Sequence, residues 1–273
     1  MIQVNGTELK LGTFPNGETL VDGDELLKVM KQENVIIWKY ENDGDLIKLM
    51  FVKQYIEQHQ ATAALIIAYM PYSRMDRIEG TSAFTLKYTA NFINSLQFSK
   101  VTVIEPHSDV TLALLDRSEA LYPTIRLIDQ VAEAAGLNWN HDVLFFPDAG
   151  AQKRYSKLKG DYKQLVGFKQ RDFATGRIQS LELVGQVPTT PFKALIVDDL
   201  CSYGGTFLLS AEKLKQAGAS HVYLLVAHCE KSIYKGKLLD SGLVDRVFTT
   251  DTMLDEAGHD NIHIFELGGF IHE

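Results

Sequence analysis

Two adjacent acids, Asp198 and Asp199, close the apolar run ALIV, and Gly204, Gly205 and Thr206 follow before the chain turns apolar again. Paired carboxylates at the mouth of a strand suit sugar hydroxyls or a magnesium ion. Glycines let backbone approach phosphate oxygens, and a helix opening there offers unpaired N–H groups and the positive end of its dipole to an anion. The same residues also read as a plain strand-to-helix turn with solvated aspartates.

Such a constellation needs a scaffold that holds strand ends side by side. Short β-rich apolar runs recur along the chain: NVIIWKY, AALIIAYM, KVTVIEP, DVLFFPD, KQLVGFK, KALIVDD, HVYLLVAH and RVFTTD. Stretches with helical spacing lie between them, among them GDLIKLMFVKQYIEQHQ, FTLKYTANFINSL and TFLLSAEKLKQAGA, the last stopping at Gly218 as a glycine just past a helix end would stop it. Strands alternating with helices predict an α/β fold with mainly parallel sheets covered on both faces. The spacing suggests two similar halves, 1–124 and 125–273, divided where LYPTIR breaks the pattern. Ligands of open parallel sheets sit beyond the carboxyl ends of the strands, so the residues after each apolar run are the ones to inspect.

Composition narrows the partners. The chain has 273 residues, 45% hydrophobic and 23% charged, with a net charge of −8. That balance argues against long nucleic-acid partners, whose binding leans on phosphate neutralisation by Lys and Arg. Two cysteines, Cys201 and Cys229, cannot build a disulfide framework or a four-cysteine zinc site. No apolar stretch approaches the ~18 residues of a membrane span, and the N-terminus carries no basic flank before an apolar core. The expectation is a cytoplasmic protein with small-molecule substrates and neither nucleic-acid nor membrane partners.

The Asp-Asp and Gly-Gly-Thr stretch resembles the ribose-phosphate loop of type I phosphoribosyltransferase folds. Three further stretches, TFPNGE at 13–18, YMPYSRMDR at 69–77 and FPDAGAQKRY at 146–155, narrow the resemblance to the ribose-phosphate pyrophosphokinases. Their order and spacing match that family over nearly the whole chain. The resemblance implies two phosphoribosyltransferase-type domains, an ATP-side domain over 1–124 and a ribose-phosphate domain over 125–273. It also implies transfer of the β,γ-diphosphoryl group of MgATP to the C1 hydroxyl of ribose 5-phosphate, with release of AMP.

Site residues follow from the resemblance position by position. Asp198 and Asp199 match the acids that hold the ribose 2- and 3-hydroxyls, and Ser202, Tyr203, Gly204, Gly205 and Thr206 match the loop around the 5-phosphate. His107 in EPHSD and Asp148 in FPDAG match residues linked to Mg2+, His107 also lying near the ATP phosphates. Arg74, Asp76 and Arg77 match the ATP site. Phe14, Asn16 and Glu18 match a loop that reaches the adenine of a neighbouring subunit's ATP, which implies a homo-oligomer, at least a dimer. Lys169 and Arg171 in FKQRD match a Lys-x-Arg at the root of a loop. With His107 they are the catalytic candidates, because diphosphoryl transfer is eased mainly by positioning and charge stabilisation. The segment ATGRIQSLELVGQVPTTP reads as the rest of a flap that excludes water.

Other residues carry open readings. His228 suits a site wall or a structural role, Cys201 a buried spacer, and Lys153 and Arg154 a phosphate contact or a charged helix start. HDNIH has metal-like residue types without a ligand spacing.

The sequence departs from the family at several places. Ser202 and Tyr203 stand where it keeps an acid and a threonine, Met75 where it has glutamine, and Glu105 where it has aspartate; the strand and helix before TFPNGE are expected to be largely absent. A neutral Ser202 and an aromatic Tyr203 suit an acceptor whose 5-phosphate is extended, such as ADP-ribose, giving ADP-ribose 1-pyrophosphate for NAD resynthesis. A phosphoribosyltransferase and a non-catalytic regulatory homologue are the further alternatives.

Overall fold

The computed structural model of the chain describes residues 1–171, 178–189 and 191–271. They divide into two compact units, Met1–Leu121 and Tyr122–Glu273.

The first unit is built on a six-stranded sheet. Its elements are β1 (Ile2–Val4), β2 (Thr7–Glu8), β3 (Gly12–Thr13), β4 (Thr19–Leu20), α1 (Gly23–Val29), β5 (Glu33–Trp38), α2 (Gly44–Gln58), β6 (Thr62–Ile67), α3 (Thr85–Ser95), β7 (Val101–Ile104), α4 (Asp109–Leu114) and β8 (Ser118–Leu121). The sheet order is β2-β1-β5-β6-β7-β8, with β5 to β8 parallel and β1 antiparallel to β5. A strand therefore does precede TFPNGE, contrary to expectation: Ile2 and Val4 are buried and pair with the register of Trp38 and Ile36. A three-residue strand gives too short an alternation to stand out in sequence.

The second unit comprises α5 (Pro123–Ala135), β9 (Val143–Phe146), α6 (Ala149–Arg154), β10 (Lys163–Arg171), β11 (Ile178–Val184), β12 (Phe192–Cys201), α7 (Gly205–Gln216), β13 (Ala219–Cys229), β14 (Arg246–Thr250), β15 (Ile262–Phe265) and α8 (Gly268–Ile271). Its sheet order is β11-β10-β9-β12-β13-β14-β15, parallel throughout except for the β10–β11 edge pair. The unit begins three residues before the expected boundary at 124/125 because Pro123, at a first-turn position, opens α5. The inner face of that helix, Leu127, Ile128 and Val131, packs into this unit's core.

The central strands alternate between two buried faces. Val143, Phe145, Ala194, Ile196, Leu224 and Val226 meet Phe207, Ala211 and Leu214 of α7. Leu144, Phe146, Leu195, Val197 and Leu225 meet α5, Ala151 of α6 and Tyr155 just beyond it. A strand covered on both sides reads as continuous apolar sequence, which is why DVLFF and ALIV lack polar alternation. Each of these large apolar side chains contributes roughly 1.5–3 kcal/mol by burial, so the carboxyl ends of β9 and β12 stand on a rigid base.

The segment expected to be a flap is, over Ile178–Val184, the strand β11, paired antiparallel to β10 with Lys169 opposite Leu181. Residues 174–177 and 190 of the same segment lie outside the described residues.

Candidate active-site residues

Parallel pairing sets β9 beside β12, with Phe145 opposite Ile196, so their following residues share one edge of the sheet. Asp198 and Asp199 occupy that edge on β12. On the β9 side, Asp148 caps α6 by accepting the backbone N–H of Ala151 at 3.0 Å. Arg154 ends the same helix. Its Nη1 lies 3.0 Å from Oδ1 of Asp198 and 3.0 Å from Oδ1 of Asp199, and all three side chains are largely buried.

The guanidinium neutralises one of the two carboxylates. Asp199 also donates its backbone N–H to Asp198 Oδ1 at 2.9 Å. Burial, and then the neighbouring Asp199, push the Asp198 carboxyl well above the usual carboxylate range, against the pull of Arg154. A pair so held presents acceptor oxygens to hydroxyl groups without two full uncompensated charges.

The loop beyond the acids is fixed by close approaches. Gly204 has φ +80, and a Cβ there would lie 2.8 Å from the Leu238 side chain. Gly236 packs beneath Tyr203, where a Cβ would come within 2.0 Å of the Tyr203 carbonyl oxygen. Gly205 then starts the twelve-residue α7, whose first backbone N–H groups have no partner within the helix and no side-chain cap. The Tyr203 ring is exposed.

Ser202 behaves differently from what its place in the loop implies. Its hydroxyl donates to Oε2 of Glu230 at 2.7 Å and lies 3.1 Å from the hydroxyl of Ser232, which contacts the same carboxylate oxygen at 2.8 Å. An acid absent from position 202 is thus supplied from the end of β13.

The remaining candidates of this unit separate clearly. Lys169 and Arg171 are on β10 at its bulged end, where the register shifts between Gln170 and Arg171. His228 is buried, its Nδ1 2.9 Å from Thr252 Oγ1 within a cluster of hydroxyls around the Ala227 carbonyl. Cys201 and Cys229 are register partners on β12 and β13, both buried, and the hydrogen bond to Cys229 together with burial raises the Cys201 thiol above its ordinary range. Neither is placed as a nucleophile. In HDNIH, His263 packs against the rings of Phe248 and Phe265.

In the first unit, the candidates follow β6, β7 and the β3–β4 hairpin. TFPNGE is the tip of that hairpin: Phe14 N–H donates to Glu18 O at 2.8 Å, and Asn16 Oδ1 accepts from Glu18 N–H at 3.2 Å. Phe14 is left exposed at the tip. After β6, Tyr72 adopts φ +61, and after β7 Glu105 adopts φ +43 and is buried. Such backbone is costly for side chains with a Cβ and concentrates where a functional loop is over-determined by its surroundings. The phenols of Tyr72 and Tyr40 both donate to Asp43 Oδ1, which lowers the Asp43 carboxyl below its ordinary range and ties the loops after β5 and β6 together.

Within that braced loop Arg74 is exposed, and Arg77 reaches Asp76 at 3.2 Å and Glu79 at 2.6 Å. Asp76 itself is buried and faces Arg77. His107 follows Glu105 and Pro106 at the head of α4.

Two residues were not assigned by sequence reasoning. Sequence alone leaves Arg154 between a phosphate contact and a helix start, and its place on the helix after β9 puts it beside β12. Glu230 carried no local signal, since only the β12–β13 pairing brings it to Ser202.

A family profile described as the phosphoribosyl synthetase-associated domain matches residues 172–265. The ribose-phosphate pyrophosphokinase of Marinomonas sp. is 26% identical over 255 residues, covering 89% of this chain and 78% of its own. Ribose-phosphate pyrophosphokinase 2 of Archaeoglobus fulgidus is 27% identical over 275 residues, covering 97% of this chain and 90% of its own. The chain is similar to ribose-phosphate pyrophosphokinases over most of its length. Among solved structures, the phosphoribosylpyrophosphate synthetase from Mycobacterium smegmatis matches with a TM-score of 0.76 at 17% identity, over 96% of this chain and 87% of that one. The chain shares the fold of that synthetase, with two α/β units each built on a mainly parallel sheet. No helix among the described residues is long and apolar enough to cross a membrane.

Proposed function

We propose that this chain transfers the β,γ-diphosphoryl group of ATP to the C1 hydroxyl of ribose 5-phosphate. The C1 oxygen forms a bond to the β-phosphorus, the bond from that phosphorus to the α,β-bridging oxygen breaks, AMP leaves, and the hydroxyl proton passes to solvent. The observation that carries the reading is the diacid Asp198–Asp199, held by Arg154 directly ahead of the glycine turn that opens α7. Carboxylate oxygens take the ribose 2- and 3-hydroxyls, and the backbone N–H groups of Gly204, Gly205 and Thr206 take the 5-phosphate.

ATP is assigned to the first unit, with Arg74 and Arg77 on its phosphates and His107 beside them. Phe14, Asn16 and Glu18 form an exposed hairpin tip suited to reach the adenine in a second copy of the chain, so the active form is at least a dimer. Lys169 and Arg171 supply positive charge to the migrating group, where preorganised cations lower the barrier most.

Magnesium fits this donor set as part of MgATP. Among the described residues no group of three or more metal-type side chains is preassembled, and this ion ordinarily takes most of its ligands from phosphates and water with one or two protein groups. His107 in the first unit and Asp148 in the second are each read as a residue linked to magnesium, whose chemistry is neutralisation of phosphate oxygens.

A second reading keeps the reaction and changes the acceptor to ADP-ribose. It is favoured by the Ser202 hydroxyl being drawn to Glu230 and by the exposed Tyr203 ring, a stacking surface at the loop's edge. AMP release from MgATP, measured with ribose 5-phosphate and with ADP-ribose at equal concentrations, tests both. Release with neither acceptor would overturn the diphosphokinase reading.

A further inference from the structure

We propose that Lys231, Lys235 and Lys237 form a second phosphate subsite beside the glycine loop, taking a phosphate joined to the 5-phosphate of the ribose, as in a 5-diphosphate or its ester. The inference rests on the ribose-phosphate reading of the loop and extends it by one group.

The segment after β13 runs alongside that loop, and its contacts advance in step with it. Ser232 Oγ lies 3.1 Å from Ser202 Oγ. A Cβ at Gly236 would lie 2.0 Å from the Tyr203 carbonyl oxygen, and one at Gly204 would lie 2.8 Å from the Leu238 side chain. Ile233 and Leu238 turn into the core of the unit. Lys231, Tyr234, Lys235 and Lys237 are left exposed, the first three on the five-residue 3-10 turn Lys231–Lys235. Lys231 is therefore next to the residue that touches Ser202, and Lys235 and Lys237 flank the one that touches Tyr203.

From 231 to 237 the chain carries three positive charges and no acid, in a protein of net charge −8. Glu230, directly ahead, accepts hydrogen bonds from Ser202 and Ser232. Lysines elsewhere are held by carboxylates: Lys28 by Glu25, Lys100 by Glu119 and Lys215 by Asp245. The side chains of Lys231, Lys235 and Lys237 make no ion pair or hydrogen bond among the described residues. Like charges gathered in this way repel one another, and an anion that joins them relieves the repulsion. Lysine, a flexible point charge, takes phosphate without a fixed geometry. Ribose 5-phosphate uses the loop alone, so the subsite admits a further class of ligand and excludes none.

The test is calorimetric binding of ribose 5-phosphate and of ribose 5-diphosphate at pH 8 and low ionic strength. The second ligand adds a phosphate and no ring, so stacking on Tyr203 does not enter. Lys231→Gln, Lys235→Gln and Lys237→Gln together should lower the affinity for ribose 5-diphosphate relative to ribose 5-phosphate about tenfold, as for a phosphate losing its cations near a protein surface. The same three positions changed to Arg should keep the ratio. Added salt should shrink the ratio in the unmodified protein and leave that of the glutamine variant nearly flat, because exposed charges are screened. A control variant carries Lys163→Gln, Lys213→Gln and Lys215→Gln, at the start of β10 and in the last turn of α7, on the opposite edge of the sheet. It removes the same charge and should leave the ratio unchanged.

A ratio unmoved by the glutamine substitutions, lowered as far by arginine, or lowered equally in the control would overturn the subsite. Binding of neither ligand to the unmodified protein would overturn the ribose-phosphate reading and the subsite with it. AMP release is followed in parallel. The expected ratio shift without AMP release from any acceptor would overturn the diphosphokinase reading and leave the subsite standing.

Discussion

Arg154 Nη1 lies 3.0 Å from Asp198 Oδ1 and equally close to Asp199 Oδ1, so one guanidinium at the end of α6 holds both acids at the end of β12. Removing it strands two buried carboxyl groups. Arg154→Ala should therefore destabilise the second unit by about 3–5 kcal/mol, the usual consequence of deleting one partner of a buried pair. Urea unfolding of both proteins measures this. A change under about 1 kcal/mol would place the pair energetically at the surface.

The raised Asp198 carboxyl gives a pH signature. Its pKa is higher in the folded chain than in the unfolded one, so the folded state binds more protons in the interval between the two values. Stability contributed by the neutral acid is full below the unfolded value near pH ~4 and is lost as pH rises through the raised folded value. Asp198→Asn removes that loss. The melting temperature of the variant relative to the unmodified protein should rise from pH 4 toward neutrality; a difference that is flat or falls would contradict the raised carboxyl.

Much of this architecture was legible in sequence because the central strands are buried on both faces. ALIV and DVLFF read as strands, and the polar residues directly after them mark the sheet edge where ligands bind. Short elements were not legible: β1 and β8 have three and four residues, and the latter carries Ser118 and Glu119 among its four. Cross-strand partners were invisible for a different reason. Arg154 and Asp198 are 44 residues apart, and Ser202 and Glu230 are 28 apart. No periodicity links such pairs; the order β9-β12-β13 does.

Lys169 and Arg171 are assigned to the migrating diphosphoryl group. Changing either to Ala should lower kcat by about 10²–10³, the effect typical of losing one preorganised donor, with KM for the sugar little changed. Steady-state AMP release measures it. Near-normal turnover in either variant would remove that residue from the clamp.

The exposed Tyr203 bears on the acceptor. If its ring stacks on the part of ADP-ribose beyond the 5-phosphate, Tyr203→Thr should lower kcat/KM for ADP-ribose by roughly tenfold, a loss of about 1–1.5 kcal/mol for one stacking contact, and leave ribose 5-phosphate less affected. An unchanged ratio of the two acceptors would take Tyr203 out of the selectivity.

Gly204 separates loop shape from loop chemistry. Its φ of +80 already costs a side-chain-bearing residue about 1–3 kcal/mol, and a Cβ would lie 2.8 Å from Leu238, which is fully buried and has little room to retreat. Gly204→Ala should thus lose at least about 2 kcal/mol of stability and displace the first N–H groups of α7 from the phosphate. Binding of ribose 5-phosphate should weaken more than tenfold, while ATP binding, assigned to the other unit, stays within twofold. Equal weakening of both ligands would mean that the damage is global, and intact phosphate binding in a destabilised protein would mean that the N–H groups of this turn are not the phosphate's partners.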